Sequence, residues 1–338
     1  MHVLAADIGG TKTLIALGRQ ERGRLHLDTP QRFESAAFPD FETLAHTFLK
    51  HEGVDPARIS SACLAIAGPV EGDAVRQQAR LTNLPWHLDS ASLADTLGIA
   101  RVVLINDFEG VAHSVDDLPA SSLATLQAGE PDPAGPRLVV GAGTGLGVCA
   151  VCANGAGLLP GEGGHAGFSP TDAQQIRLWQ FVTREEGRCT REHLLSGRGI
   201  ARIAAFLQTE GHAPGPALAD AMAEGDPAAA LSRFALRGDE PLARETLRLF
   251  VRLYGAQTGD LALGVLPTGG VYLAGGIAPR ILPLLQNGDF IAAFSRKPPM
   301  SHLLARLPVK VINEPNAGLM GAARWALNSA KGESGSGK

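Results

Sequence analysis

Leu138-Val139-Val140-Gly141-Ala142-Gly143-Thr144-Gly145-Leu146-Gly147-Val148-Cys149-Ala150-Val151-Cys152 is the stretch on which the choice of fold turns. Within it, Gly145 to Ala150 satisfies the spacing G-x-G-x-x-G/A of a dinucleotide fingerprint, which requires a helix to open directly behind the glycines. Behind them, however, stand Val148 to Cys152, short and β-branched, and then Asn154-Gly155, a turn signal. The stretch therefore predicts strand, glycine turn, strand, and the dinucleotide reading fails. The opening of the chain repeats the design: Val3 to Ala6 is apolar, Asp7-Ile8-Gly9-Gly10-Thr11-Lys12 is glycine-bearing, and Thr13 to Leu17 resumes a strand-like composition. In such turns backbone N–H groups converge on an anion, since no Cβ blocks approach, and Thr11 or Thr144 adds a hydroxyl donor. Either turn alone is as well read as a tight hairpin. Together they suggest a polyphosphate clamped from both sides.

Outward from these turns the pattern is mixed α/β. Asp40 caps a helix through Leu49, Ile59 to Ala67 reads as a buried strand, and Ser90 to Leu97 as a helix capped by Ser90 and closed by Gly98. Val102 to Ile105 is an apolar β-branched strand that ends in Asn106-Asp107. Open α/β sheets place ligands at the carboxyl ends of their strands, so Asp107 is a site candidate. Further on, the spacing predicts a helix over Glu240 to Leu263, a strand over Gly270 to Ala274 and a helix over Ile277 to Leu285. A strand over Pro308 to Ile312 and a helix over Ala317 to Leu327 come next, and the low-complexity tail Lys331 to Lys338 reads as disordered. A length of 338 residues fits two domains, or one unusually large one.

Composition narrows the function classes. Hydrophobic residues make up 45% and charged residues 19%, an ordinary globular balance. With 30 basic and 34 acidic side chains the net charge is −4, which gives no overall electrostatic reason to expect nucleic acid or an anionic membrane as partner. The uncharged run from Leu138 to Gly161 carries seven glycines plus Thr144, Asn154 and Pro160, and is rejected as a membrane span. Met1 to Ala6 offers no secretory signal before Asp7. Four scattered cysteines, Cys63, Cys149, Cys152 and Cys189, fit a reducing compartment, and cytoplasm is the expectation. Cys149 and Cys152 have CxxC spacing, but on a strand residues three apart face opposite ways and cannot share a metal. Gly332 to Lys338 spells G-x-x-x-x-G-K with no Ser or Thr behind it, a compositional accident. Gly161-Glu162-Gly163-Gly164-His165 sets a carboxylate and an imidazole three apart in a glycine turn, which suits hydroxyl recognition or is a plain solvated loop. Glu192, on sequence physics alone, is a surface helix charge.

Taken in order, Asp7 to Lys12, Asn106-Asp107, Gly141 to Gly147, Gly161 to His165, Glu192 to Gly197 and Leu273-Ala274-Gly275-Gly276-Ile277 resemble the bacterial glucokinase family of the hexokinase/actin-like superfamily, over about residues 3 to 327. The resemblance implies a two-domain actin-like/hexokinase (ribonuclease H-like) α/β fold around a central cleft. Residues 1–115 with 315–330 would form the small domain and 116–314 the large one. It implies a first phosphate loop over Ala6, Asp7, Ile8, Gly9, Gly10 and Thr11, with Asp7 facing Mg2+ through water. A second phosphate loop would use Gly141, Gly143, Thr144 and Gly145, and an adenosine motif Gly275 and Gly276. Asn106, Asp107, Glu162, His165 and Glu192 become the sugar-contacting set, which lifts Glu192 out of its surface reading, and Asp107 the general base. A carboxylate within about 2.6 to 3.2 Å of a sugar hydroxyl can accept its proton as a phosphoryl group arrives.

The implied activity is ATP-dependent phosphorylation of D-glucose at the 6-hydroxyl, with ATP and Mg2+ as cofactors, glucose as the partner and a homodimer as the assembly. Repressor/kinase relatives add a cysteine-rich zinc motif after the sugar-site histidine. Here Ala166-Gly167-Phe168-Ser169-Pro170 comes after His165, so no zinc is expected. A DNA-binding repressor would need a helix-turn-helix ahead of the first loop, for which Asp7 leaves no room. The competing readings are a kinase for mannose, fructose or an N-acetylated sugar, and a sugar-independent actin-like ATPase.

Overall fold

The chain divides into two compact units, Met1–Ala120 with Glu314–Lys338, and Ser121–Asn313. The computed structural model describes residues 2–73, 75–81 and 84–330; the expected disordered tail, Lys331 to Lys338, lies outside them. In chain order the elements start β1 (His2–Ile8), β2 (Lys12–Glu21), β3 (Arg24–Leu27), β4 (Gln31–Glu34), α1 (Phe41–Glu52), β5 (Ile59–Ile66), β6 (Val70–Gly72), β7 (Gln77–Arg80) and β8 (His87–Asp89). Next come α2 (Ser90–Leu97), β9 (Val102–Asn106), α3 (Asp107–Ser114), β10 (Leu123–Gln127), β11 (Arg137–Ala142), β12 (Leu146–Val151), β13 (Leu158–Gly161), α4 (Ala173–Glu186) and α5 (Gly197–Thr209). The remainder is α6 (Pro216–Glu224), α7 (Pro227–Arg237), α8 (Pro241–Val265), β14 (Gly270–Ala274), α9 (Ile277–Arg280), α10 (Leu282–Leu285), α11 (Asp289–Ser295), α12 (Ser301–Arg306), β15 (Val309–Ile312) and α13 (Ala317–Ala330).

In the first unit the sheet runs β3-β2-β1-β5-β9, with β4 on β2. Strand β1 is antiparallel to β2 and parallel to β5, which is parallel to β9. The period-2 alternation of β1 sends its residues to two cores. Leu4, Ala6 and Ile8 pack with Phe41, Leu44 and Phe48 of α1, whereas Val3 and Ala5 pack with Leu319, Ala322, Ala323 and Ala326 of α13. Helices thus cover both faces, and β1 is central, so its last residues emerge at a fixed place. In the second unit the path β13-β12-β11-β14-β15, with β10 beside β15, repeats the same order and the same strand directions. Its core gathers β11 with α5, α7 and α8. The buried Tyr254 hydroxyl of α8 donates to the Val140 carbonyl at 3.0 Å.

Two local expectations need correction. The cap of α2 is Asp89, not Ser90: the Asp89 carboxylate accepts from the Ala91 and Ser92 amides at 3.1 Å, while Ser90 is already inside the helix. The expected helix over Ile277 to Leu285 is two short ones broken at Ile281. Pro283 has no amide hydrogen to give back along a continuous helix, and its ring would press on the carbonyl four residues earlier. The small antiparallel sheet β6-β7-β8 was not expected from the sequence.

Candidate active site

In the first unit the β1–β2 hairpin closes with Ile8 opposite Thr13, and the Gly9 amide donates to the Lys12 carbonyl at 2.9 Å. Ser35, at the end of β4, holds this turn from behind. Its amide donates to the Thr11 carbonyl at 3.0 Å, its hydroxyl lies 3.3 Å from the Gly9 carbonyl, and it pairs with the Thr13 hydroxyl at 3.0 Å. Thr11 itself is exposed.

Asp7 stands at the end of β1. Burial, then the like charge of Asp107, raises its carboxyl from an ordinary value to about 6, with Lys12 opposing. Asp107 begins α3, directly after β9. Burial raises its carboxyl too, partly offset by backbone N–H donors at Phe108 and Asp107. The Asn106 amide is largely committed to the scaffold: Oδ1 caps α3 by accepting from the Phe108 amide at 2.9 Å, and Nδ2 donates to the Gly68 carbonyl at 3.0 Å. One amide hydrogen and one lone pair stay available for a ligand. Below the two carboxylates lies α13. A β-carbon on Gly318 would sit 3.1 Å from Asp7 Oδ2 and 3.9 Å from the Asp107 carbonyl oxygen.

In the second unit, Ala142 pairs with Leu146 across the Gly143-Thr144-Gly145 turn, whose Gly143 amide donates to the Gly145 carbonyl at 2.8 Å. The Gly143 carbonyl accepts from the Gly197 amide at 2.9 Å, so the start of α5 is tied to the turn, and Ser196 caps that helix through the Gly199 amide at 3.1 Å. Thr144 is exposed. Gly275 and Gly276 come directly after β14, the strand parallel to β11. Gly275 has φ +81, and a β-carbon there would lie 2.4 Å from the Ala142 carbonyl oxygen.

Glu162 and His165 flank a tight turn behind β13. Both side chains are largely solvent-exposed, with Nε2 and Oε2 3.7 Å apart. Glu192 is not a helix surface charge: it lies in a turn ahead of α5, its side chain only 17% exposed. Its Oε2 accepts from the Leu146 amide at 3.0 Å, Oε1 is 3.8 Å from Arg198 Nη2, and its own amide donates to the Gly164 carbonyl at 2.9 Å. Glu192 is thereby linked at once to the second glycine turn and to the Glu162–His165 loop. The second unit brings Glu162, His165, Glu192 and the 143–145 turn together; the first unit brings Asp7, Asn106 and Asp107 together with the 9–11 turn.

Sequence reasoning missed Ser35, Gly318 and the basic residues Arg191 and Arg198. The small-residue spacing Gly318-x-x-Gly321 was a readable signal for a close helix contact; nothing local pointed to Ser35. Among the described residues no group of three or more His, Cys, Asp or Glu side chains forms a ready ligand set, and no helix is long and apolar enough to cross a membrane. A divalent cation at Asp7 would therefore take few protein ligands. Mg2+ is commonly held that way, keeping waters and substrate phosphate oxygens in its shell.

The family model described as Glucokinase matches residues 4–329. A glucokinase from Nostoc sp. is 40% identical over 341 residues, spanning 96% of this chain and 98% of that protein. Among solved structures, a glucokinase from an Antarctic psychrotroph is 28% identical with a TM-score of 0.86, covering 97% of this chain and 99% of the other. A ROK family glucokinase from Streptomyces griseus, solved in complex with glucose and AMPPNP, shares the fold at 21% identity and a TM-score of 0.63, covering 97% and 100%.

Proposed function

The chain belongs to the glucokinase family, and from that premise we propose that it transfers the γ-phosphoryl group of ATP to the 6-hydroxyl of D-glucose, giving glucose 6-phosphate, ADP and a proton. The observation that carries the mechanism is Asp107: a carboxylate fixed at the start of α3, whose proton affinity is raised by burial. A base tuned upward accepts the hydroxyl proton better at neutral pH, and a positioned general base contributes about 100- to 10,000-fold in all. As the 6-hydroxyl oxygen bonds to phosphorus, its proton passes to Asp107 and the bond to the ADP oxygen breaks.

Asp7 to Thr11 and Gly141 to Gly145 take the role of phosphate loops, their N–H groups and the exposed Thr11 and Thr144 hydroxyls offsetting phosphate charge. Gly275 and Gly276 let the nucleotide lie against the backbone. Glu162, His165, Glu192 and Asn106 recognise sugar hydroxyls. The residues at Asp7 fit Mg2+: two oxygen-bearing carboxylates, Asp7 and Asp107, repel each other in a desolvated setting that a hard cation would relieve. When bound with ATP, Mg2+ neutralises charge on the phosphate oxygens. The donor set beside His165 gives no reason to add zinc. Four free cysteines support a reducing, cytoplasmic setting, and a homodimer is the assembly expected of the family.

The test is ADP release from MgATP by the purified protein, alone and with glucose, mannose, fructose or N-acetylglucosamine, with identification of the sugar phosphate. Stimulation by glucose is expected. Stimulation only by another sugar would move the substrate, and turnover indifferent to sugar would favour the actin-like ATPase. Asp107→Ala is expected to lower kcat by about 100-fold or more while sparing nucleotide binding; loss of nucleotide binding instead would make Asp107 a scaffold residue.

A further inference from the structure

Among the described residues, the Glu162 and His165 side chains make no hydrogen bond that anchors their loop to the rest of the unit. Its middle residues are Gly163 and Gly164, and both flanking side chains point to solvent. Nevertheless its carbonyls are taken one after another by a single short segment. Arg191 Nη1 donates to the Gly163 carbonyl at 3.1 Å, the Glu192 amide to the Gly164 carbonyl at 2.9 Å, and the Arg191 amide to the Ala166 carbonyl at 3.0 Å. The remaining side of the Arg191 fork faces the protein interior. Its Nε donates to Oε1 of Gln257, a fully buried residue of α8, at 3.0 Å. Gln257 Nε2 in turn reaches Asp260 Oδ2 at 3.3 Å, and Asp260 Oδ1 pairs with Lys297 Nζ at 2.6 Å. A chain of polar contacts therefore runs from the longest helix of the second unit to the loop.

We propose that Arg191 is a positioning residue for sugar binding, holding the Glu162–His165 loop against α8 through Gln257 so that Glu162 and His165 meet the sugar in one fixed geometry. The inference rests on the reading of that loop as the sugar loop. Arginine suits the task because one planar group donates in two directions, to a loop carbonyl and to a buried amide; a lysine ammonium is a single point on a flexible stem and cannot reproduce both. Partial burial pulls the guanidinium below its ordinary proton affinity while the Asp260 carboxylate pulls it back, so the charge is kept where a buried cation would otherwise be costly. Gly164 shows how tightly the loop is seated: a β-carbon there would lie 2.2 Å from the Leu146 carbonyl oxygen.

The experiment compares Arg191→Ala, Arg191→Lys, Gln257→Leu and Glu162→Gln for KM of glucose, KM of ATP and kcat, with amide hydrogen exchange read over residues 161–166. Losing a charged hydrogen bond should raise the glucose KM of Arg191→Ala roughly tenfold to a hundredfold, leave the ATP KM within about twofold, and speed exchange in the loop. Arg191→Lys should recover little. Guanidinium ion added to Arg191→Ala, against matched NaCl, should lower the glucose KM again. Gln257→Leu should share part of the effect and add little to Arg191→Ala in the double variant. If Glu162→Gln raises the glucose KM and both Arg191 variants leave it unchanged, Arg191 does not position the loop and the proposal falls. Should Glu162→Gln leave the glucose KM unchanged as well, the sugar reading of the loop fails, and unaltered exchange in Arg191→Ala would separately overturn the hold on the loop.

Discussion

Gly321→Ala should cripple the enzyme from the side of the helices rather than from the loops. In α13 a β-carbon at Gly321 would stand 1.6 Å from the Gly110 carbonyl oxygen and 3.0 Å from the Ser114 amide nitrogen of α3. Ordinary C···O contact begins at about 3.3 Å, so the two helices must separate by roughly 1.7 Å, and the obstacle is backbone that cannot rotate aside. Overpacking of this kind costs about 1–3 kcal/mol or more, against which the better helix propensity of alanine returns only about 1 kcal/mol. A net loss of about 2 kcal/mol corresponds to a fall in Tm of roughly 4–8 °C for a unit of this size. The larger effect is on chemistry, because α3 begins with Asp107 and the first turn of α13 sets Gly318 against Asp7. A displacement of about 1 Å at a reacting group can cost a hundredfold in rate. Thermal unfolding with kcat in a coupled assay for glucose 6-phosphate tests both parts, and Gly264→Ala, a helical glycine with open space around it, is the control expected to be neutral or slightly stabilising. Wild-type Tm and kcat in Gly321→Ala would refute the close-approach argument.

Asp7→Asn should inactivate the enzyme and yet stabilise it, with a definite pH dependence. The folded-state carboxyl titrates near 6 against an ordinary value of 3.8, so below pH 3.8 both folded and unfolded chains hold the proton and the substitution is neutral. Between about pH 4 and 6 the unfolded chain ionises first and wild type loses stability, so by pH 7 the variant leads by up to about 3 kcal/mol, from a shift of about two units at 1.36 kcal/mol each. Unfolding by denaturant at pH 4 and pH 8, without nucleotide or Mg2+, reads the difference; equal gains at both would contradict it. Gly275→Ala should raise the KM for ATP far more than that for glucose, since φ +81 strains any side chain and the β-carbon meets the Ala142 carbonyl at 2.4 Å. An unchanged ATP KM in steady-state kinetics would remove the 275–276 turn from the nucleotide site.

What the sequence made legible was what is local. Both glycine hairpins were readable because a strand, a turn and a strand adjoin in the chain, and Asp107 because it ends an apolar strand. Glu192 was not: the partner that takes it off the surface is the Leu146 amide, 46 residues away, and no pattern around Thr190 to Gly197 encodes that distance. Neighbouring capping residues compete in the same way. Asp89 and Ser90 are both good caps, and the choice is made by β8, which ends at Asp89 and brings its carboxylate to Arg76 and Gln78 at 2.8 and 2.7 Å. The break inside Ile277 to Leu285 is encoded by Pro283, a signal that the helical spacing of the apolar residues around it masks.

Under the proposed kinase reading, two similar turns of the repeated strand order would divide the work unequally. Asp7 sits one residue before the last pair of the β1–β2 hairpin, Ile8 with Thr13; the matching place in the second hairpin, before Ala142 with Leu146, is Gly141. One turn thus carries a carboxylate beside its N–H donors and the other carries donors alone. A carboxylate suits a turn that would meet a cation, and its absence suits a turn that would meet bare phosphate oxygens, since a carboxylate there would repel them. The strands beyond diverge for a similar reason. The fifth strand of each order, β9 or β15, leads within two residues to an acid, Asp107 directly after Asn106 in the first case and Glu314 after Asn313 in the second. Glu314 spends its carboxylate on the Asn316 amide at 3.1 Å, at the start of α13, whereas α3 is capped by Asn106, and the Asp107 carboxylate beside it, itself met by the Phe108 and Asp107 amides, is the group proposed as the base.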